Sequence, residues 1–243
     1  MKPQTILLLH GWIRAASAET YYAKTITAFE KKRYRVVAPD MPGFGSSKTP
    51  IHSLTLGDYA EFIHEYIEKN HLHPDVLIGH SFGGRVIIEY LSRFPFQGRA
   101  VVMTGTPGYP SVRKLKMVLS RIIAKAGNAI FSVPLLSTFR DAIRARFYYL
   151  VGARDYYRAS GAMRQTFKNI VQESLDKKMK SIRIPTLLLW GGEDVIVPVR
   201  VARKMNQAIS PSTFVSISAY GHRMIVDAAD HFVEEVTKFI KTI

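Results

Sequence analysis

The sequence VLIGHSFGG, residues 76–84, decides how this chain is interpreted. Three apolar residues lead into Ser81, which has Gly79 two positions before it and Gly83 two positions after it, and a pattern of helical period follows. A Gly-x-Ser-x-Gly motif between a strand and a helix predicts a turn too tight for side chains at the flanking glycines. Such a turn lifts the serine hydroxyl above the end of a sheet and puts the Phe82 N–H at a helix N-terminus, where it would stabilise a developing oxyanion. Ser81 is therefore a candidate nucleophile.

Short apolar runs alternate with segments of helical period along the rest of the chain, which is typical of a parallel sheet covered by helices. Each run is apolar nearly throughout, as expected of a strand that is buried on both faces. The six predicted strands are Thr5 to His10, Arg35 to Pro39, Asp75 to Gly79, Arg99 to Thr104, Thr186 to Trp190 and Thr213 to Ser218. The fold class predicted is α/β, with one mainly parallel sheet and helices on both faces.

Three helices are predicted clearly. The first follows Thr55, which forms the pattern of a capping box with Asp58, and the second extends from Gly83 to Phe94. The third would close the core at the end of the chain, and its apolar side consists of Phe232, Val236, Phe239, Ile240 and Ile243.

Some eighty residues separate the fourth predicted strand from the fifth, far more than one crossover helix requires. The segment has a helical pattern interrupted by glycine and proline. We therefore expect residues 107–183 to form a helical cap inserted into one core, residues 1–106 and 184–243, and not an independent domain.

Most of the positive charge lies in this predicted cap. The 243 residues include 34 lysines and arginines against 19 acidic residues, a formal net charge of +15. Residues 107–183 hold 16 basic and 4 acidic residues, so 16 − 4 = +12 belongs to the cap and +3 to the core. The basic residues considered are Arg140, Arg144, Arg154, Arg158, Arg164, Lys177, Lys178 and Lys180.

These charges have two interpretations. The simpler is a solvated face, and the sharper is docking to an anionic lipid surface or to an acidic carrier protein that bears an acyl chain. No nucleic-acid recognition motif accompanies the charge, so no nucleic acid partner is predicted.

Composition and spacing exclude several other chemistries. The absence of cysteine excludes disulfides, thiolate metal sites and a cysteine nucleophile, and it favours a cytoplasmic location. A Gly-x-Gly after the second predicted strand lacks the third glycine and the helix of a nucleotide-binding loop, and no metal-ligand spacing occurs. Neither a cofactor nor a metal is expected, and no apolar run approaches the length of a transmembrane segment.

Three segments of the chain resemble the α/β-hydrolase superfamily, and the resemblance covers almost the whole sequence. The first is the serine turn at 79–83, the second is Gly-Gly-Glu-Asp at 191–194 after the fifth predicted strand, and the third is Tyr-Gly-His at 220–222 after the sixth. In that superfamily the chain order is nucleophile, acid, histidine, each at the carboxyl end of a strand.

The resemblance implies a catalytic triad of Ser81, Asp194 and His222. In such a triad the histidine takes the serine proton, and the carboxylate holds the imidazole in the required tautomer. Glu193 competes with Asp194 for the role of the acid, but the position in the motif favours Asp194. His80, beside the serine, is interpreted as a packing or hydrogen-bonding residue.

The same resemblance implies an oxyanion hole made by two backbone N–H groups, those of Trp12 and Phe82. The loop His10-Gly11-Trp12 fits the His-Gly-x form that follows the first strand in many small esterases and lipases. His10 and Gly11 would support this loop, as Gly79 and Gly83 support the serine turn. The Trp12 indole either lines an acyl pocket or packs under the cap.

The function expected from these features is hydrolysis of carboxylic esters through an acyl-enzyme, as in a small esterase or lipase. A serine at position 81, where relatives that act on epoxides or haloalkanes have aspartate, disfavours those two chemistries. A thioesterase or carrier-protein acyl ester hydrolase and a hydrolase of carbon–carbon bonds remain open, because they use the same triad. A non-catalytic binding protein that works through the basic cap is the alternative from another class.

Overall fold

One sheet of six parallel strands organises the protein, for which a computed structural model describes residues 3–13, 16–110 and 161–243. The order across the sheet is β2-β1-β3-β4-β5-β6, and every neighbouring pair is parallel. The strands are β1 (Thr5–Leu9), β2 (Arg35–Val37), β3 (Val76–His80), β4 (Ala100–Thr104), β5 (Thr186–Gly191) and β6 (Ser212–Ile217). The predicted fold class is confirmed, with strand ends displaced by one or two residues.

Helices connect and flank these strands. In the described residues they are α1 (Ala18–Tyr21), α2 (Ala23–Lys31), α3 (Leu56–Lys69), α4 (Phe82–Arg93), α5 (Gly161–Gln172), α6 (Asp176–Met179), α7 (Val199–Ala208), α8 (Met224–Asp227) and α9 (Ala229–Lys241). The predicted capping box is present at the start of α3, where the Thr55 and Asp58 side chains each accept the other's backbone N–H. No helix in these parts of the chain is long and apolar enough to cross a membrane.

Two predictions about burial are wrong. The sequence predicts that every strand is buried on both faces, but β2 and β6 contain exposed and half-buried residues, whereas β3, β4 and β5 are wholly buried. β2 and β6 are the edge strands, each with a single neighbouring strand. Ile243 is also exposed, because α9 ends before it.

A buried arginine joins the core to the described parts of the predicted cap. Arg85 lies on α4, and its guanidinium donates hydrogen bonds to the carbonyl oxygens of Pro107, Ile170 (2.7 Å) and Glu173 (2.7 Å). Pro107 stands where the predicted cap leaves the core, while Ile170 and Glu173 lie at the carboxyl end of α5, where helix carbonyls lack partners. Arg85 of α4, the helix that follows Ser81, therefore binds both Pro107 and the carboxyl end of α5.

The prediction of a solvated basic face is wrong for Lys178. Its ammonium group pairs with the buried Glu89 of α4 and with Glu173, at 2.8 Å from the latter. Lys177 and Lys180 are exposed, as predicted. The other predicted cap helices and Arg140, Arg144, Arg154 and Arg158 lie outside the described residues.

We predict that replacing Gly83 by alanine destabilises the fold by about 1–3 kcal/mol, the usual cost of overpacking. A Cβ at this position would lie 2.0 Å from the carbonyl oxygen of Leu9 and 2.8 Å from that of His10, both of them backbone atoms. Urea unfolding followed by circular dichroism measures the loss.

Gly57→Ala is the matched control. Its Cβ would meet the flexible end of the Arg93 side chain, and alanine is favoured over glycine in a helix. The free energy of unfolding should be unchanged or slightly higher. Equal losses in the two variants would contradict the close approach at Gly83.

Candidate active site

Ser81 occupies a strained turn between β3 and α4. Its φ of 51° and ψ of −108° lie in a region that non-glycine residues rarely adopt. Its backbone N–H donates to the carbonyl oxygen of Thr104, at the end of the adjacent strand β4, at 2.8 Å. The structure thus confirms the strand–turn–helix context that the sequence predicts for this serine.

The flanking glycines let three backbone segments meet at this turn. A Cβ on Gly79 would lie 2.5 Å from the Gly84 Cα, and Gly83 approaches the end of β1 as closely. Neither approach leaves room for a side chain, so both glycines are required by packing as well as by the turn.

The loops after β5 and β6 bring together Asp194 and His222. The Nδ1–H of His222 donates to Asp194 Oδ2 at 2.8 Å, and the other carboxylate oxygen accepts the N–H groups of Ile196 (2.9 Å) and Val197 (2.8 Å). Asp194 is buried, whereas the competing candidate Glu193 is exposed. Because Nδ1 carries the ring proton, Nε2 is left with a free lone pair.

Several close approaches place this pair beside the serine turn. A Cβ on Gly105, just after β4, would lie 2.8 Å from Cε1 of His222 and 3.6 Å from Asp194 Oδ2. The rings of His80 and His222 lie 5.1 Å apart between centroids. The carboxyl ends of β3, β4, β5 and β6 therefore converge on one site.

The loop after β1 lies against the same turn. A Cβ on Gly11 would lie 3.4 Å from the Ser81 Cβ, so this loop runs directly beside the serine. In the part of the chain that the structure describes, the N–H groups of Trp12 and Phe82 have no hydrogen-bond acceptor. Phe82 is the first residue of α4, where a helix has unpaired N–H groups.

His10 holds this loop in place. Its Nε2 accepts the N–H of Met41 (3.0 Å), and its Nδ1–H donates to the carbonyl oxygen of Gly11 (2.7 Å), which also accepts the N–H of Ile13 (2.7 Å). Burial lowers the pKa of His10 to about 4. The imidazole is therefore neutral at pH 7, as one accepting and one donating nitrogen require.

The Trp12 indole packs among aromatic rings. It contacts Phe44, Phe82 and Phe167 edge-on, with centroid distances of 4.8, 5.6 and 5.0 Å. Phe167 belongs to α5, within the predicted cap, so the ring packs between that helix and the loop after β1.

Sequence reasoning missed Tyr22. This tyrosine is fully buried after α1, and its hydroxyl accepts the N–H of Gly11 at 3.0 Å. No motif surrounds it, and only the tertiary contact shows its role.

The chain belongs to the alpha/beta hydrolase family, whose profile matches residues 6–236. A 2-hydroxy-6-oxo-2,4-heptadienoate hydrolase of Pseudomonas putida is 24% identical over 97% of this chain and 88% of its own length. A monoacylglycerol lipase of Mus musculus is 25% identical over 98% of this chain and 76% of its own length. Among solved structures, a bromoperoxidase from Bacillus anthracis superimposes with a TM-score of 0.75 at 21% identity, covering 98% of this chain and 92% of the other.

We predict that the protein loses stability as the pH falls from 7.5 to 5. Burial lowers the pKa of His10 to about 4 and that of His80 to about 3, whereas a histidine in the unfolded chain takes up its proton near pH 6.5. Between these values the unfolded chain binds more protons, so acid favours unfolding, by about 2 kcal/mol for each histidine at pH 5.

Urea unfolding of the native protein and of His80→Gln at both pH values measures this effect. The variant should lose about 2 kcal/mol less than the native protein over the interval. An identical loss in the two proteins would show that His80 does not resist protonation in the folded state.

Proposed function

We propose that this protein is a serine hydrolase that cleaves carboxylic esters through an acyl-enzyme formed on Ser81. The observation that carries the proposal is the hydrogen bond between His222 and the buried Asp194, located beside a serine in a strained turn. A strained residue held by its surroundings is a sign of a functional site, and a histidine oriented by a carboxylate is suited to act as a base.

In the first step the Ser81 hydroxyl attacks the ester carbonyl carbon, and its proton passes to Nε2 of His222. Asp194 stabilises the resulting imidazolium, since its carboxylate accepts the Nδ1–H. The carbonyl oxygen becomes an oxyanion, which accepts the N–H groups of Trp12 and Phe82. When the tetrahedral intermediate collapses, the ester C–O bond breaks and the alcohol leaves with the proton from His222.

In the second step water replaces the alcohol. The water oxygen attacks the acyl carbon while His222 takes a proton from the water. His222 then gives this proton to Ser81 Oγ as the acyl–serine bond breaks. The products are the carboxylic acid and the free enzyme, so no cofactor or metal enters the proposed reaction.

The relatives support two substrate classes. The mouse relative is a monoacylglycerol lipase, which favours an ester substrate, and the Pseudomonas relative is a hydrolase of a 2-hydroxy-6-oxo-dienoate. The second candidate function is therefore cleavage of such a dienoate by the same three side chains.

We predict that the native protein turns over p-nitrophenyl esters and that Ser81→Ala abolishes turnover. A series of increasing acyl length reports the size of the acyl pocket, and a fluorophosphonate should label Ser81. Absence of both turnover and labelling would refute the serine-hydrolase proposal. A 2-hydroxy-6-oxo-dienoate cleaved with a far higher kcat/KM than any ester would favour the second candidate.

We predict that Asp194→Asn lowers kcat by about 10³–10⁴-fold, the size of effect seen when the orienting acid of a serine triad is lost. Glu193→Gln, at the neighbouring exposed position, is the matched control and should retain native kcat, since His222 Nδ1 is bound by Asp194 and not by Glu193. A larger loss of kcat in Glu193→Gln than in Asp194→Asn would show that Glu193, and not Asp194, is the acid of the triad.

We further propose that the basic segment at 107–183 docks on an anionic lipid surface that presents ester substrates. The net charge of +12 and the exposure of Lys177 and Lys180 support this proposal. Ester turnover should be faster on anionic than on neutral vesicles at low salt, and raised salt should remove the difference. Equal turnover on both would contradict lipid docking, and stimulation by an acidic acyl carrier protein alone would indicate that partner instead.

A further inference from the structure

A chain of hydrogen bonds through two buried side chains, which the proposed chemistry does not use, connects the proposed oxyanion loop to the proposed histidine base. The N–H of Gly11 donates to the Tyr22 hydroxyl at 3.0 Å, and that hydroxyl lies 2.7 Å from Nδ1 of His80. Nε2 of His80 lies 3.1 Å from the backbone carbonyl oxygen of His222. Tyr22 is fully buried and His80 is 3% exposed.

The two backbone groups at the ends of this series of hydrogen bonds, the Gly11 N–H and the His222 carbonyl, determine the direction of every hydrogen bond in it. A backbone N–H can only donate, so the Tyr22 oxygen accepts from Gly11 and is free to donate its own proton to Nδ1 of His80. A backbone carbonyl can only accept, so the proton of the neutral His80 ring lies on Nε2 and is donated to His222. Each polar atom of both side chains thus has a partner.

We propose that Tyr22 and His80 are positioning residues, which hold the oxyanion loop and the backbone of His222 at fixed places on either side of Ser81. The inference rests on the function proposed above, in which Trp12 and His222 act on the same substrate. We call the chain of hydrogen bonds from Gly11 through Tyr22 and His80 to His222 the relay. His80 is suited to a positioning role because it immediately precedes Ser81, so the relay is anchored to the serine turn itself. Neither positioning residue touches the reacting atoms.

The surroundings keep the relay in one protonation state. The titratable or charged groups that face His80 are Tyr22, His222, His10 and Arg223. Burial, and then the neighbouring His222, lower the pKa of His80 to about 3, and burial raises the pKa of Tyr22. His80 therefore adds no second positive charge when His222 accepts the serine proton.

Buried polar networks of this kind restrict motion, because each group loses its partner if a neighbouring segment moves. Gly11 precedes the proposed oxyanion donor Trp12, and the His222 carbonyl belongs to the base itself. A small displacement of the Gly11 backbone or of the His222 backbone would lower the rate. Proton transfer and oxyanion binding are sensitive to changes of a few tenths of an ångström in the distances between the reacting groups.

The test measures kcat and KM for an ester substrate in Tyr22→Phe, His80→Leu, His80→Gln and the double variant Tyr22→Phe/His80→Leu. We expect kcat to fall about 10-fold in Tyr22→Phe and more in His80→Leu, with KM changed less than about threefold, because the lost contacts act on transition-state geometry. His80→Gln should recover part of the loss, since its amide N–H can donate to the His222 carbonyl. The double variant should be no slower than the worse single variant, as expected of residues in one network.

Tyr59→Phe is the matched control. Tyr59 is also fully buried, and its hydroxyl donates to the carbonyl oxygen of Pro42 at 3.1 Å, so this variant too loses a hydrogen bond between a tyrosine hydroxyl and the backbone. Its kcat should stay within about twofold of native. Native kcat in Tyr22→Phe and His80→Leu, or additive losses in the double variant, would overturn the proposal.

Hydrogen exchange at the Gly11 amide tests the relay without turnover. His80→Leu should raise the exchange rate about 10-fold or more, although the Gly11 N–H donates to Tyr22 and not to His80, whereas Tyr59→Phe should leave it unchanged. Unchanged exchange in His80→Leu would overturn the relay. If the native protein neither hydrolyses esters nor is labelled at Ser81, the proposed function fails, and the exchange result still decides whether the relay exists.

Discussion

The backbone of Ser81 is the constraint on which the rest of the site depends. A serine at φ 51° and ψ −108° costs of order 1–3 kcal/mol, and it persists only because the surrounding structure holds it. Three contacts do so: the hydrogen bond to the end of β4, the approach of Gly79 to α4 and the approach of Gly83 to the end of β1. Strands β1, β3 and β4 must therefore be adjacent and in register before the serine can adopt this geometry.

The loops at the carboxyl ends of the parallel strands supply the other groups of the candidate site. Because all six strands point the same way, the loops that carry Gly11, Ser81, Asp194 and His222 leave the sheet at the same side. Within those loops the Asp194 carboxylate accepts three donors, and His10 forms hydrogen bonds through both ring nitrogens. This arrangement is preorganised, which is what electrostatic stabilisation of a developing charge requires.

Local patterns predicted the fold class correctly because their causes are local. Continuous apolar runs indicate buried parallel strands, and the capping box at Thr55 satisfies N–H groups within one turn of its own helix. The errors concern burial that depends on distant segments. β2 and β6 resemble interior strands in composition but lie at the edges, and Lys178 resembles a solvated lysine but meets a glutamate from α4, 89 residues earlier in the chain.

The sequence by itself determined the serine turn, the order of the candidate catalytic residues and the concentration of positive charge in one segment, because each is a matter of residue type and spacing. Only the tertiary structure decided that Asp194 and not its neighbour Glu193 meets His222, and that Tyr22 and His80, 58 residues apart, share a hydrogen bond. The physical reason is that a hydrogen bond requires its two atoms to lie within about 3 Å, and no spacing rule relates residues on different strands and helices at that precision.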